Sequence, residues 1–270
     1  MKPPAKPLPF APLVLLGLLS ACSEPGVAPT APGPAAPARN APAATAAYPA
    51  QVLNLANWKL TLPLDQDGSG AADEVQQPAL NTFEDANHFF SRPAGDAVVF
   101  RAYADGATTS GSGYPRSELR EMKSNGTQKA SWSSTSGTHT LVIDQAVTHL
   151  PVAKPHIVVG QIHDGSDDVL VFRLEGQKLF VDINGDDGPT LTSSYQLGTR
   201  FTVKFVVSGG KTKCYYNNTL KYTLSKKYSK AYFKAGAYVQ SSCRGSKKVS
   251  GEACSAYGEV QIYDVRVTHN

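Results

Sequence analysis

From residue 51 onward, apolar and polar side chains alternate one by one in short runs. This is the period of strands with one buried and one open face. Tyr232-Phe233-Lys234-Ala235-Gly236-Ala237-Tyr238-Val239-Gln240 is the clearest run. Phe233, Ala235, Ala237 and Val239 share a face suited to a core, and Tyr232, Lys234, Gly236, Tyr238 and Gln240 share the other. That second face reads as the floor of a groove, with Gly236 leaving room for something to approach. Arg116-Ser117-Glu118-Leu119-Arg120-Glu121-Met122 puts Arg116, Glu118 and Arg120 together. Val159-Gly160-Gln161-Ile162-His163 does the same for Gln161 and His163, with Val159 continuing their face. If the three faces adjoin, they form a cationic site holding two proton carriers, His163 and Tyr238.

The remaining pattern predicts more strands. Val52–Leu55 and Trp58–Leu62 open the domain, and Pro63 with the run Asp65–Gly70 breaks it. That acidic run lacks the regular carboxylate spacing and closing Glu of a calcium loop. Thr82 to Phe90 is the one stretch expected to turn helical, capped by Asn81 or Thr82. Val169–Leu174 and Lys178–Ile183 predict a hairpin through Glu175-Gly176-Gln177, and Phe201–Val207 pairs with Lys213–Tyr216 through Gly209-Gly210. Glu259 to Thr268 closes the chain, with Val260, Ile262 and Asp264 alternating against Gln261, Tyr263 and Val265. Roughly a dozen strands without crossover helices predict an all-β sandwich of two antiparallel sheets, a jelly roll. Loops near 65–80, 105–113 and 241–256 are expected to rim one face.

Composition divides the chain of 270 residues. Residues 1–21 read as a lipoprotein signal peptide. Lys2 and Lys6 supply a positive start, Leu13 to Leu19 a short apolar core, and Leu19-Ser20-Ala21-Cys22 a small-residue site before a cysteine. Residues 22–50 form a Pro/Ala-rich linker beginning at a lipidated Cys22, and 51–270 is the folded domain. The expectation is an exported bacterial lipoprotein, held at a membrane (the outer membrane) only by its lipid, or secreted. Setting Lys2 and Lys6 aside takes the formal net charge from +4 to +2, which with export argues against a nucleic-acid partner. Cys243 and Cys254 enclose a polar loop and are expected to pair as a disulfide, leaving Cys214 a buried thiol. No Cys/His spacing resembles a zinc site.

The blocks Arg116-Ser117-Glu118-Leu119-Arg120, Gln161-Ile162-His163 and Tyr232 to Gln240 resemble, in order, the three signature blocks of the alginate lyases of polysaccharide lyase family seven. Trp58-Lys59-Leu60-Thr61-Leu62-Pro63 resembles the start of that domain. The resemblance covers 51–270 and implies a β-jelly roll whose concave sheet binds alginate, a polymer of mannuronate and guluronate, and cleaves it by β-elimination. It implies no cofactor and no metal. By motif position it makes Arg116, Gln161, His163 and Tyr238 catalytic, with Glu118, Arg120, Lys234, Gln240 and Tyr232 beside them on the substrate. A monomer is expected. Ile162 is associated in the family with activity on guluronate-containing polymer.

The residue types suit that chemistry. The C5 proton of a uronate becomes removable once its carboxylate is neutralised, a task for Arg116 and Gln161. His163 titrates near neutrality. A phenol such as Tyr238, near pKa ~10, is a poor base unless neighbouring cations favour its phenolate. A glycoside hydrolase would need two carboxylates flanking the bond, and Glu118 between two arginines is a poor acid. A tethered carbohydrate-binding protein, or a lyase for another polyuronate, fits the same basic groove.

Overall fold

The computed structural model describes residues 47–270. The expected signal peptide, Cys22 and the linker up to residue 46 lie outside the described residues. A single turn of helix, Pro49–Val52, opens the fold with Pro49 buried, so ordered packing begins inside the last residues of the expected linker. Proline suits that first helical position because its missing N–H would have no partner there.

Sixteen strands follow among the described residues. They are β1 (Trp58–Thr61), β2 (Glu74–Val75), β3 (Phe89–Ser91), β4 (Val98–Tyr103), β5 (Arg116–Lys123), β6 (Gln128–Lys129), β7 (Thr138–His149) and β8 (His156–His163). Then come β9 (Asp168–Glu175), β10 (Lys178–Ile183), β11 (Asp186–Thr192), β12 (Phe201–Ser208), β13 (Lys211–Tyr216), β14 (Thr219–Ser225), β15 (Tyr232–Val239) and β16 (Tyr257–His269). One antiparallel sheet runs β11-β10-β9-β8-β15-β5-β1-β2, with β6 appended to β5, and the other β14-β13-β12-β7-β16-β4-β3. This is the two-sheet, all-β architecture that the alternation predicts. Both expected hairpins form, β9 with β10 and β12 with β13.

The core lies between the sheets. Phe172 of β9 stacks on Phe205 of β12 at 4.2 Å, and Phe89, Phe100 and Phe233 are fully buried. Each such ring contributes about 1.5–3 kcal/mol by leaving water. The same apolar positions fix the register, because a slip of one residue would turn them all outward.

Four expectations give way to local geometry. Thr82–Phe90 is not a helix: a 3-10 turn at Ala79–Thr82 ends there, and Phe89 enters β3 to pair with Phe100. The Asp85 side chain takes the N–H groups of Asn87 and His88, which closes a turn instead of propagating a helix. In β16 a register shift between Ile262 and Asp264 reverses the alternation, so Val265 joins Val260 and Ile262 in the core while Asp264 points outward. In β8 a shift between Val158 and Gly160 turns Val159 into the core, away from the face of Gln161 and His163. The space at Gly236 is not open either. A Cβ there would lie 2.5 Å from the Ser117 carbonyl oxygen and 2.8 Å from the Glu118 Cα.

The loops near 65–80, 105–113 and 241–256 do come together, lining a cavity of about 1000 Å³ at one end of the first sheet. Cys243 and Cys254 form a disulfide within the last of them, and Cys214 is free and buried.

Candidate active site

Strands β5, β15 and β8 are neighbours, so the three patterned faces do adjoin. Lys234 pairs with Arg120 on one side and Gln161 on the other. Beyond Arg120 comes Lys59 of β1, so three cations and an amide cross four strands in a row. Tyr232 faces His163, and Tyr238 faces Arg116. These groups line a groove of about 350 Å³.

Between Lys234 and Tyr238, β15 carries one residue more than β8 opposes. The extra residue is taken up around Gly236, whose φ of +143° is open only to glycine. Plain alternation leaves Lys234 and Tyr238 both facing the groove with Ala235 and Ala237 in the core, and the bulge sets Tyr238 opposite Val158 of β8.

Glu118 lies under the groove floor, 1% exposed. Its carboxylate accepts from Arg116 Nη1 at 3.1 Å, from Lys234 Nζ at 2.5 Å and from Gln161 Nε2. Burial by itself would raise its pKa, but Lys234 and then Arg116 outweigh that, and the net shift is downward. Glu118 is therefore a fixed anion that aims three donors, and it is unsuited to giving up a proton. Burial, and then Arg116, bring Lys234 down to about 8 against the pull of Glu118.

Arg116 has its Cζ 3.6 Å from the centroid of the Tyr238 ring, and Arg120 stands 4.0 Å from that of Tyr232. The Tyr238 hydroxyl lies 2.8 Å from Ser112 Oγ. The His163 ring stacks on Tyr232 at 5.2 Å. Its Nδ1 is 2.8 Å from the Asp164 carbonyl oxygen, which can only accept, so Nδ1 holds the proton and Nε2 is the free lone pair. Burial lowers the pKa of His163, favouring this neutral form.

Of the residues singled out from sequence, Arg116, Arg120, Gln161, His163, Tyr232, Lys234 and Tyr238 line the groove, and Glu118 supports it from beneath. Gln240 is not among the lining residues. It follows the end of β15, nearly buried, and its side-chain nitrogen finds no partner among the described residues. Lys59, Thr61, Ser112 and Asp168 also line the groove and were not anticipated. Alternation in Trp58-Lys59-Leu60-Thr61-Leu62 already put Lys59 and Thr61 on one face. Asp168, pushed up to about 6 by burial and by Asp167, carried no comparable signal.

A family model described as "Alginate lyase" matches residues 53–269. Among solved structures, alginate lyase AlgAT5 from polysaccharide lyase family 7 is 54% identical, with a TM-score of 0.78, over 83% of this chain and 99% of its own. The alginate lyase from Corynebacterium sp. shows the same identity, TM-score and coverage. The family 7 alginate lyase A1-II′, as a variant in complex with the substrate GGMG, is 26% identical with a TM-score of 0.71, over 84% of this chain and 98% of its own. A curated alginate lyase of Klebsiella pneumoniae is 28% identical over 156 residues, 48% of this chain and 50% of that protein, so the match spans half the length of that relative.

Proposed function

The chain belongs to the alginate lyase family, and on that premise we propose that it cleaves alginate by β-elimination at the 4-O-glycosidic bond. What supports the reading is one juxtaposition: a fixed guanidinium, an amide, a neutral imidazole and a phenol on three adjacent strands of one groove. The row of Lys59, Arg120 and Lys234 suits a polyanion.

In this reading Arg116 and Gln161 bind the uronate carboxylate at the cleavage site and offset its charge. The C5–H bond can then break with its electron pair delocalised toward the carboxyl group. A base takes the C5 proton, the pair forms the C4=C5 double bond, and the C4–O4 bond breaks. Tyr238 gives its proton to the departing O4. For mannuronate, whose C5 proton and O4 lie on the same side, Tyr238 also removes the proton. For guluronate the two lie on opposite faces, and His163 Nε2 is the base. Nothing is consumed but the polymer bond, and one end becomes a 4,5-unsaturated uronate.

A preference for guluronate-containing blocks rests on Ile162. That side chain is fully buried on the core side of β8, so it would act through the placing of Gln161 and His163. Lipid attachment at Cys22 rests on the sequence around it, and mass spectrometry of the mature N-terminus tests it.

The decisive experiment follows the near-ultraviolet absorbance of the unsaturated product with polymannuronate, polyguluronate and pectate supplied separately. A rise with either alginate block is expected. A rise with pectate alone would replace the substrate but keep the chemistry, and binding without any rise would leave a carbohydrate-binding protein. Tyr238→Phe should bind yet lose nearly all turnover, and a variant keeping a third of the activity refutes its role. His163→Ala should abolish cleavage of polyguluronate, and sparing it refutes the base.

A further inference from the structure

We propose that Ser112 is a positioning residue for Tyr238, one that holds the phenol oxygen in both of its protonation states. The inference rests on the lyase reading above and adds to it a residue from outside the three patterned strands. Ser112 lies in the loop spanning 105–113, which lines both the groove and the larger cavity beside it.

Proton accounting at Ser112 Oγ carries the argument. A serine hydroxyl has one hydrogen and two lone pairs. The Tyr114 backbone N–H donates to one lone pair at 3.1 Å. The Tyr114 carbonyl oxygen lies 3.4 Å away and the Tyr238 hydroxyl 2.8 Å away. When Tyr238 is a phenol, its O–H donates to the second lone pair of Ser112, whose own hydrogen rests on the Tyr114 carbonyl. When Tyr238 has given up its proton, the serine hydrogen swings from that carbonyl and donates to the phenolate. The switch needs only a rotation about one C–O bond. Ser112 thus follows the proton through the cycle, while Arg116 at 3.6 Å fixes the ring from its face.

A hydrogen bond to the charged form favours that form. Removing the hydroxyl penalises ionised Tyr238 and frees the phenol to swing, with little effect on groups that hold the polymer elsewhere. Ser112→Ala is therefore expected to lower kcat ~10-fold or more, the size of one charge-assisted hydrogen bond, and to leave KM within about twofold. The limb of the pH–rate profile that depends on Tyr238 should move to higher pH. Ser112→Thr, which keeps the hydroxyl, should recover most of kcat.

The test compares the three proteins on polymannuronate, where Tyr238 serves as both base and acid. Thermal unfolding checks that Ser112→Ala is folded. Superimposable pH profiles for wild type and Ser112→Ala overturn the inference, as does an equal loss in Ser112→Thr, which would mark a packing defect of the loop. Should the wild type cleave neither polymannuronate nor polyguluronate, the lyase reading fails; in that case, or if it cleaves polyguluronate alone, Ser112 is judged by titration. The phenolate difference spectrum of wild type against Tyr238→Phe is set beside that of Ser112→Ala against Ser112→Ala/Tyr238→Phe. A displacement to higher pH without the serine supports the contact, and coincident curves reject it.

Discussion

Glu118→Gln keeps the shape of the buried carboxylate and removes its charge. The wild-type group satisfies three donors, two of them cationic, at 1% exposure. In the variant one oxygen becomes an NH₂ group facing donors, and Arg116 and Lys234 lose their shared anion. Breaking one side of a buried ionic cluster costs about 3–5 kcal/mol, against a net stability of ~5–15 kcal/mol for a domain. Urea unfolding at pH 7 should show a midpoint lower by ~1–2 M. The pH dependence gives the cause. Glu118 has a lowered pKa, so its contribution is present above the unfolded value near ~4.3 and is lost as pH falls through the folded one. Wild type and variant should therefore converge in acid. Lys234 sits at about 8, below its unfolded value of 10.5, so the unfolded chain binds more protons between those values and stability rises with pH across them. Without Glu118 to hold the proton, that rise should begin at lower pH in the variant. Pairing Glu118→Gln with Lys234→Met should cost less than the sum of the two changes. A midpoint shift under ~0.3 M at pH 7, or curves that stay parallel from acid to alkaline pH, would refute the reasoning.

Two further outcomes follow from the same geometry. Gly236→Ala should destabilise the fold by ~3 kcal/mol or more in denaturant unfolding, because φ is +143° and the added Cβ would lie 2.5 Å from the Ser117 carbonyl oxygen; an active variant of wild-type stability contradicts the bulge. Burial lowers the pKa of His163, so its neutral base form persists below the ordinary imidazole value of 6.5; the acidic limb of polyguluronate cleavage should lie below that value, and a limb above it would show that the imidazole is not held as described.

How much was legible depended on whether alternation ran unbroken. On β5 it does, and Arg116, Glu118 and Arg120 could be placed on one face from sequence alone. On β15 it is unbroken as well, but Gly236 serves a bulge against β8 and not an approaching ligand. On β16 no glycine marks where the phase turns, and on β8 Gly160 stands at the shift without telling its direction, so simple alternation puts Val265 and Val159 on the wrong face. Thr82–Phe90 has local features that favour a helix, but burying Phe89 against Phe100 outweighs them. Ser112 could not be found from its neighbours, because its meaning comes from a phenol far along the chain. Gln240 shows the converse: it continues the alternation of β15, but the strand ends before it.

The candidate catalytic groups sit on β5, β8 and β15, strands that are neighbours in space while spanning the chain from Arg116 to Tyr238. No hairpin of adjacent strands brings them together, since β15 must insert between β5 and β8 after both have been laid down. Pairings of that kind close large loops and form slowly. Turnover should therefore be among the last properties to return on refolding, after the β9–β10 and β12–β13 hairpins have formed. A newly made chain would stay harmless to polymer until its fifteenth strand is in place.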